Sequence, residues 1–110
     1  MKKQDAVSMF DALASELRLD IVKLLVKFGE DGLVAGEIGS QLNIPPTNLS
    51  FHLKALAYSG LIYAEQEGRF QRYRANTSAL MGLVDYLMEE CCAQQTKLKT
   101  SACEPSRQKL

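Results

Sequence analysis

Apolar positions recur along this chain at one spacing, lose it after Gly60, and regain it near the end. Val7, Phe10, Leu13, Ala14 and Leu17 stand three or four residues apart, which predicts a first helix from about Asp5. Ser15 suits the cap of a second helix running to Phe28, with Leu17, Ile21, Leu24, Leu25 and Phe28 as its apolar stripe. Gly29 and the Glu30-Asp31-Gly32 run stop it. Residues 36–42 predict a short helix carrying Ile38 and Leu42 inward, and Asn43 fits the left-handed position that follows. After Ile44-Pro45, Pro46 suits the first position of a new helix, because its φ is already helical and its missing N–H has no partner to lose.

From Thr47 to Tyr58, Leu49, Leu53, Leu56 and Ala57 form the expected apolar face, with Thr47, Asn48, Phe51, His52 and Lys54 on or beside the other. Two short helices joined by a three-residue turn have the spacing of a helix-turn-helix. Past Gly60 the runs Leu61–Glu65 and Arg69–Arg74 read as two strands around Glu67-Gly68, with Phe70, Arg72 and Arg74 on one face of the second. Leu80, Leu83, Val84, Leu87, Met88 and Cys91 then return to helical spacing, a long terminal amphipathic helix. The fold class expected is therefore mainly α with a β-hairpin. One domain covers 1–95, and a polar, mobile tail covers 96–110.

Composition narrows the function. The 110 residues fit one domain, and 46% apolar content is enough for a folded core but a small one, so a partner subunit is expected to complete it. No apolar run approaches the length of a membrane span, and the charged N-terminal stretch lacks a signal peptide's apolar region. Three cysteines, two of them adjacent, do not make a secreted disulfide framework; a cytoplasmic protein with free thiols is expected. Thirteen basic residues balance thirteen acidic ones, but the cations of the middle segment cluster: Lys54, Arg69, Arg72 and Arg74, with His52 beside them.

A helix of this kind fits a DNA major groove, and short polar side chains in its first turn reach base edges. Thr47, Asn48, Phe51 and His52 are the candidate base readers, while Ser50 and Lys54 are phosphate contacts. Arg69, Arg72 and Arg74 make a cationic hairpin for the phosphate backbone or minor groove, with Arg69 beside the turn best placed. The plainer alternative for both groups is a solvated surface. A single histidine, no paired acids and no C-x-x-C spacing argue against an enzyme.

Cys91, Cys92 and Cys103 pose a separate question. An all-sulfur donor set selects soft, thiophilic species, and three thiolates suit pyramidal trivalent arsenic or antimony. Adjacent helical residues diverge by about 100°, so Cys91 and Cys92 meet one ion only where the helix ends. A buried Cys91, an incidental Cys103, disulfide-based redox sensing, and cadmium or lead binding stay open.

The stretch Leu33–Asn76 resembles the winged helix-turn-helix core of the ArsR/SmtB family of metal-sensing bacterial repressors. The resemblance is carried by Ser50-Phe51-His52-Leu53-Lys54-Ala55-Leu56, by Gly60-Leu61-Ile62, and by Glu67-Gly68-Arg69 with Tyr73. The opening Phe10–Leu25 looks like the family's first two helices, so the likeness covers about residues 5–92. It implies a homodimer through the first and last helices, around Phe10, Leu80, Leu83, Val84 and Leu87, that binds double-stranded operator DNA without a cofactor. Both cysteines of the arsenic site at the start of the third helix are missing, since Val34-Ala35-Gly36-Glu37-Ile38 stands there. The last helix offers Asp85, Glu89 and Glu90 but no histidine for a zinc site. Some family members place a Cys-Cys pair at the end of the last helix with a third cysteine beyond it, which implies arsenite, or a methylated trivalent arsenical, as inducer at Cys91, Cys92 and Cys103. A winged helix serving only as a protein-interaction module is the competing class.

Overall fold

The computed structural model describes residues 1–90. Its elements run α1 (Lys3–Leu13), α2 (Glu16–Phe28), a 3-10 turn (Gly29–Asp31), β1 (Leu33–Val34), α3 (Ala35–Leu42), α4 (Pro46–Ser59), β2 (Ile62–Glu67), β3 (Phe70–Ala75) and α5 (Thr77–Met88). Among the described residues no helix is long and apolar enough to cross a membrane.

Local chemistry explains most boundaries. The chain breaks at Ala14-Ser15, and the Ser15 hydroxyl accepts the Arg18 N–H at 3.3 Å, satisfying one of the open donors of α2. Leu17 thus belongs to α2, not to the first helix whose spacing it continues. Glu37 reaches back from the first turn of α3 to accept the Val34 N–H at 3.0 Å. Asn43 ends α3 at φ 57°, and Pro46 opens α4 at its first position. Asn76 caps α5 by accepting the Ala79 N–H at 3.2 Å.

The core is built where α2, α3, α4 and the start of β2 meet: Ile21, Leu25, Ile38, Leu53, Leu56, Leu61 and Ile62 are fully buried. Ala6, Met9 and Ala12 of α1 close one side, and Leu83 of α5 is buried at 5% exposure. Ala57, expected on the apolar face of α4, is exposed: it lies about 40° round the helix from Leu53 and about 100° from Leu56, at the edge of the buried seam.

The hairpin is a three-stranded sheet in the order β1-β3-β2, all antiparallel. Leu33 pairs with Tyr73 and Val34 with Arg72, so a two-residue strand before α3, which periodicity is too short to reveal, ties the hairpin to the helices. The two long strands begin and end one or two residues later than their sequence pattern suggests. Only Ile62 in β2 and Ala75 in β3 are buried, both at the base. The rest of the hairpin therefore projects as a wing.

Candidate nucleic-acid interface

Helix α4 has one buried side and one fully open side. Leu49, Leu53 and Leu56 face the core, and a 3.6-residue repeat puts Thr47, Phe51, Lys54 and Tyr58 directly opposite, all exposed. Asn48 and Ser50 are exposed on the two flanks. Tyr58, 92% exposed and one line along from Phe51, belongs to this surface although its sequence position did not single it out; the signal available was its i+7 spacing from Phe51. The turn before α4 is tight. A Cβ at Gly39 would stand 3.1 Å from the Ile44 carbonyl oxygen and 3.3 Å from Leu49 Cδ2, so a bare glycine lets α3 close on α4.

His52 is placed differently from the other candidate readers. It is half-buried on the flank of α4 that faces α2, and Arg18 Nη1 donates to its Nδ1 at 3.2 Å. Arg18 Nε also donates to the Ala12 carbonyl at 2.7 Å, so one guanidinium joins the end of α1, the start of α2 and the middle of α4. The Phe51 and His52 rings meet edge to face, 5.6 Å apart at 68°. No sequence pattern announces Arg18, because its partner lies 34 residues away.

The wing arginines divide into two kinds. Arg72 Nε sits 2.9 Å from Glu67 Oε1, and its Nη1 donates to the Asp31 carbonyl at 3.0 Å. Donating to the Glu67 carboxylate holds the Arg72 guanidinium above its ordinary pKa, so it stays cationic and paired. Arg74 Nη1 sits 2.6 Å from Glu65 Oε1, and its Nε donates to the Glu30 carbonyl at 2.6 Å. Both arginines thus bind the wing to the 3-10 turn after α2. Arg69, exposed beside the turn, has no ion-pair or hydrogen-bond partner among the described residues. Gly32 permits this arrangement. Its φ is +61°, and a Cβ there would overlap the Tyr73 carbonyl oxygen and stand 2.8 Å from Arg74 Cγ.

A second surface is offered by α1 and α5, and the Met1 side chain just before α1 lies over Gly82 of α5. Val7, Phe10, Met81, Val84, Leu87 and Met88 are 42–60% exposed, an apolar face with nothing over it in one chain. Of the residues expected at a dimer contact, Phe10, Val84 and Leu87 belong to this face. Leu80 is half-buried and Leu83 is buried in the chain's own core, because α5 packs through Ala79, Leu80, Leu83 and Tyr86. Cys91, Cys92 and Cys103 lie outside the described residues. Among the described residues no three histidine, cysteine, aspartate or glutamate side chains converge as metal ligands.

Known proteins share this layout. Residues 13–62 match a helix-turn-helix domain family. The uncharacterized HTH-type transcriptional regulator YceK of Bacillus subtilis is 36% identical over 72 residues, covering 63% of this chain and 71% of that protein. The arsenical resistance operon repressor of the same organism is 30% identical over 94 residues, covering 86% of each chain. The solved structure of an ArsR-like transcriptional regulator from Rhodococcus sp. RHA1 superposes with a TM-score of 0.73 at 27% identity, covering 86% of this chain and 87% of that one.

Proposed function

The chain belongs to the ArsR/SmtB family of winged helix-turn-helix transcriptional regulators, which are not enzymes, and on that premise we propose that it is a dimeric repressor released from operator DNA by trivalent arsenic. The observation that carries the DNA half is the open side of α4, where Thr47, Phe51, Lys54 and Tyr58 line up beyond a buried leucine seam. Asn48 reads a base from the flank, and Ser50 and Lys54 contact phosphate. Arg69 extends the contact from the wing tip, while Arg72 and Arg74 hold the wing in place. Two copies joined through the apolar face of α1 and α5 present two α4 helices about 34 Å apart to a palindromic site.

Donor chemistry supports the inducer. Cys91, Cys92 and Cys103 are the chain's three thiols, gathered within its last twenty residues. The similarity to an arsenical resistance operon repressor supports the same reading. Arsenic bound there lowers DNA affinity by favouring a different placement of the two α4 helices, and DNA reciprocally weakens arsenic binding. The test is a gel shift of the reduced chain on DNA from upstream of its own gene, titrated with arsenite, cadmium, lead, zinc and diamide. Release by arsenite in the parent and its loss in Cys91→Ser and Cys92→Ser are the expected results. Loss of response in Cys103→Ser marks a three-thiolate site, and retained response to methylated arsenicals marks a two-thiolate one. Release of all three variants like the parent ends the arsenic reading, and release by cadmium or diamide alone reassigns the inducer.

A further inference from the structure

We propose that Phe51 is a specificity-determining residue that reads the C5-methyl of a thymine in the major groove, with Arg18 and His52 as the positioning residues that set its ring. The proposal rests on the DNA-binding reading above. Phe51 is 67% exposed at the centre of the open side of α4, opposite the leucine seam, so packing within the chain does not account for it. Covering the ring with an apolar group of a partner would gain the hydrophobic free energy that its exposure forgoes.

The ring is also constrained. A guanidinium has donors only, so in the 3.2 Å contact between Arg18 Nη1 and His52 Nδ1 the ring nitrogen accepts. Arg18 is itself tied to the Ala12 carbonyl, and its planar fork is rigid once both bonds are made. The imidazole held in this way stands edge to face with Phe51 at 5.6 Å. Successive residues on a helix point about 100° apart, so the contact requires Phe51 to lean toward His52. One line of contacts therefore runs from α1 through Arg18 and His52 to the ring.

The chemistry of the groove then selects the target. Phe51 can neither donate nor accept a hydrogen bond, and the thymine methyl is the one apolar group that bases present on the major-groove edge. A half-site with thymine facing the middle of α4 is the match. A cytosine there lacks the methyl and leaves its amino group facing a ring that cannot accept it.

The experiment uses the full chain and a duplex that it selects from a random 20-base-pair library. Each thymine of the protected half-sites is replaced in turn by deoxyuridine, which removes the methyl and nothing else. We expect one position per half-site where uracil weakens binding about fourfold, the value of one buried methyl. Phe51→Ala should bind both duplexes equally. Arg18 is bonded to the Ala12 carbonyl and His52, off the open side of α4, and Arg18→Gln should shrink the thymine-to-uracil ratio while still unfolding cooperatively; a merely structural role would lower stability and leave that ratio alone. A parent chain indifferent to uracil at every position, or Phe51→Ala keeping the parent's ratio, overturns the proposal while leaving DNA binding intact. An unchanged ratio in Arg18→Gln overturns the positioning role. If no duplex is enriched, the DNA-binding reading itself falls.

Discussion

Nη1 of Arg74 lies 2.6 Å from Oε1 of Glu65, the residue diagonally across the hairpin, and not beside Tyr63, the residue opposite it. Arg72 makes the same diagonal move to Glu67. Each leaves one edge of its guanidinium for a backbone carbonyl of the turn after α2. Two of the wing's three arginines are thereby committed inside the molecule, and the third is not.

That division separates two kinds of variant. Arg69→Ala should weaken DNA binding across sequences and lower the slope of log affinity against log salt by about one unit, the signature of a lost phosphate contact. Arg74→Ala should lower the unfolding midpoint and leave the salt slope at the parent's value. A parent-like slope in Arg69→Ala would remove the wing tip from the interface.

Asn48 should behave as a base reader. Its replacement by Ala is expected to cost about 1–3 kcal/mol on selected DNA and little on random duplex. Equal losses on both would reassign Asn48 to the backbone.

Leu87 and Leu83 sit one turn apart with opposite surroundings, at 59% and 5% exposure. Leu87→Asp should give a folded monomer with operator affinity lost. Leu83→Ala should cost about 2–5 kcal/mol of stability by opening a cavity. Sedimentation velocity with thermal unfolding distinguishes the two, and a dimeric Leu87→Asp would move the interface elsewhere.

Gly32→Ala is expected to destabilise the fold by more than about 1 kcal/mol, because a positive φ and the crowding by β3 act together. Denaturant unfolding measures it. A midpoint equal to the parent's would mean that β1 and β3 can move apart without penalty.

Much of the fold is legible in the sequence where the determinant is local. Ser15, Asn43 and Pro46 each mark a boundary by their own backbone or capping chemistry, and the structure places the boundaries there. Periodicity alone could not say which side of α5 faces inward, since Leu83 and Leu87 belong to the same apolar stripe and tertiary packing separates them. The same limit applies at the interface. Arg72 and Arg74 look available for DNA until the carbonyls of residues 30–32 are brought beside them, and nothing in the sequence shows that Arg18 reaches His52. Contacts between residues distant in the chain leave no periodic trace.

The pairing of Leu33 with Tyr73 has a consequence for the order of assembly. Between them lie α3, the turn, α4, β2 and the start of β3, a long loop whose ends meet at this two-residue strand and at the bonds from Arg72 and Arg74 to the carbonyls of residues 30–32. The entropy of closing so long a loop is met only after the helices within it have docked. The pairing of β1 with β3 is thus expected to form late in folding and to be lost early on opening. Amide hydrogen exchange at that seam reports whether α4 is seated, without any DNA in the tube.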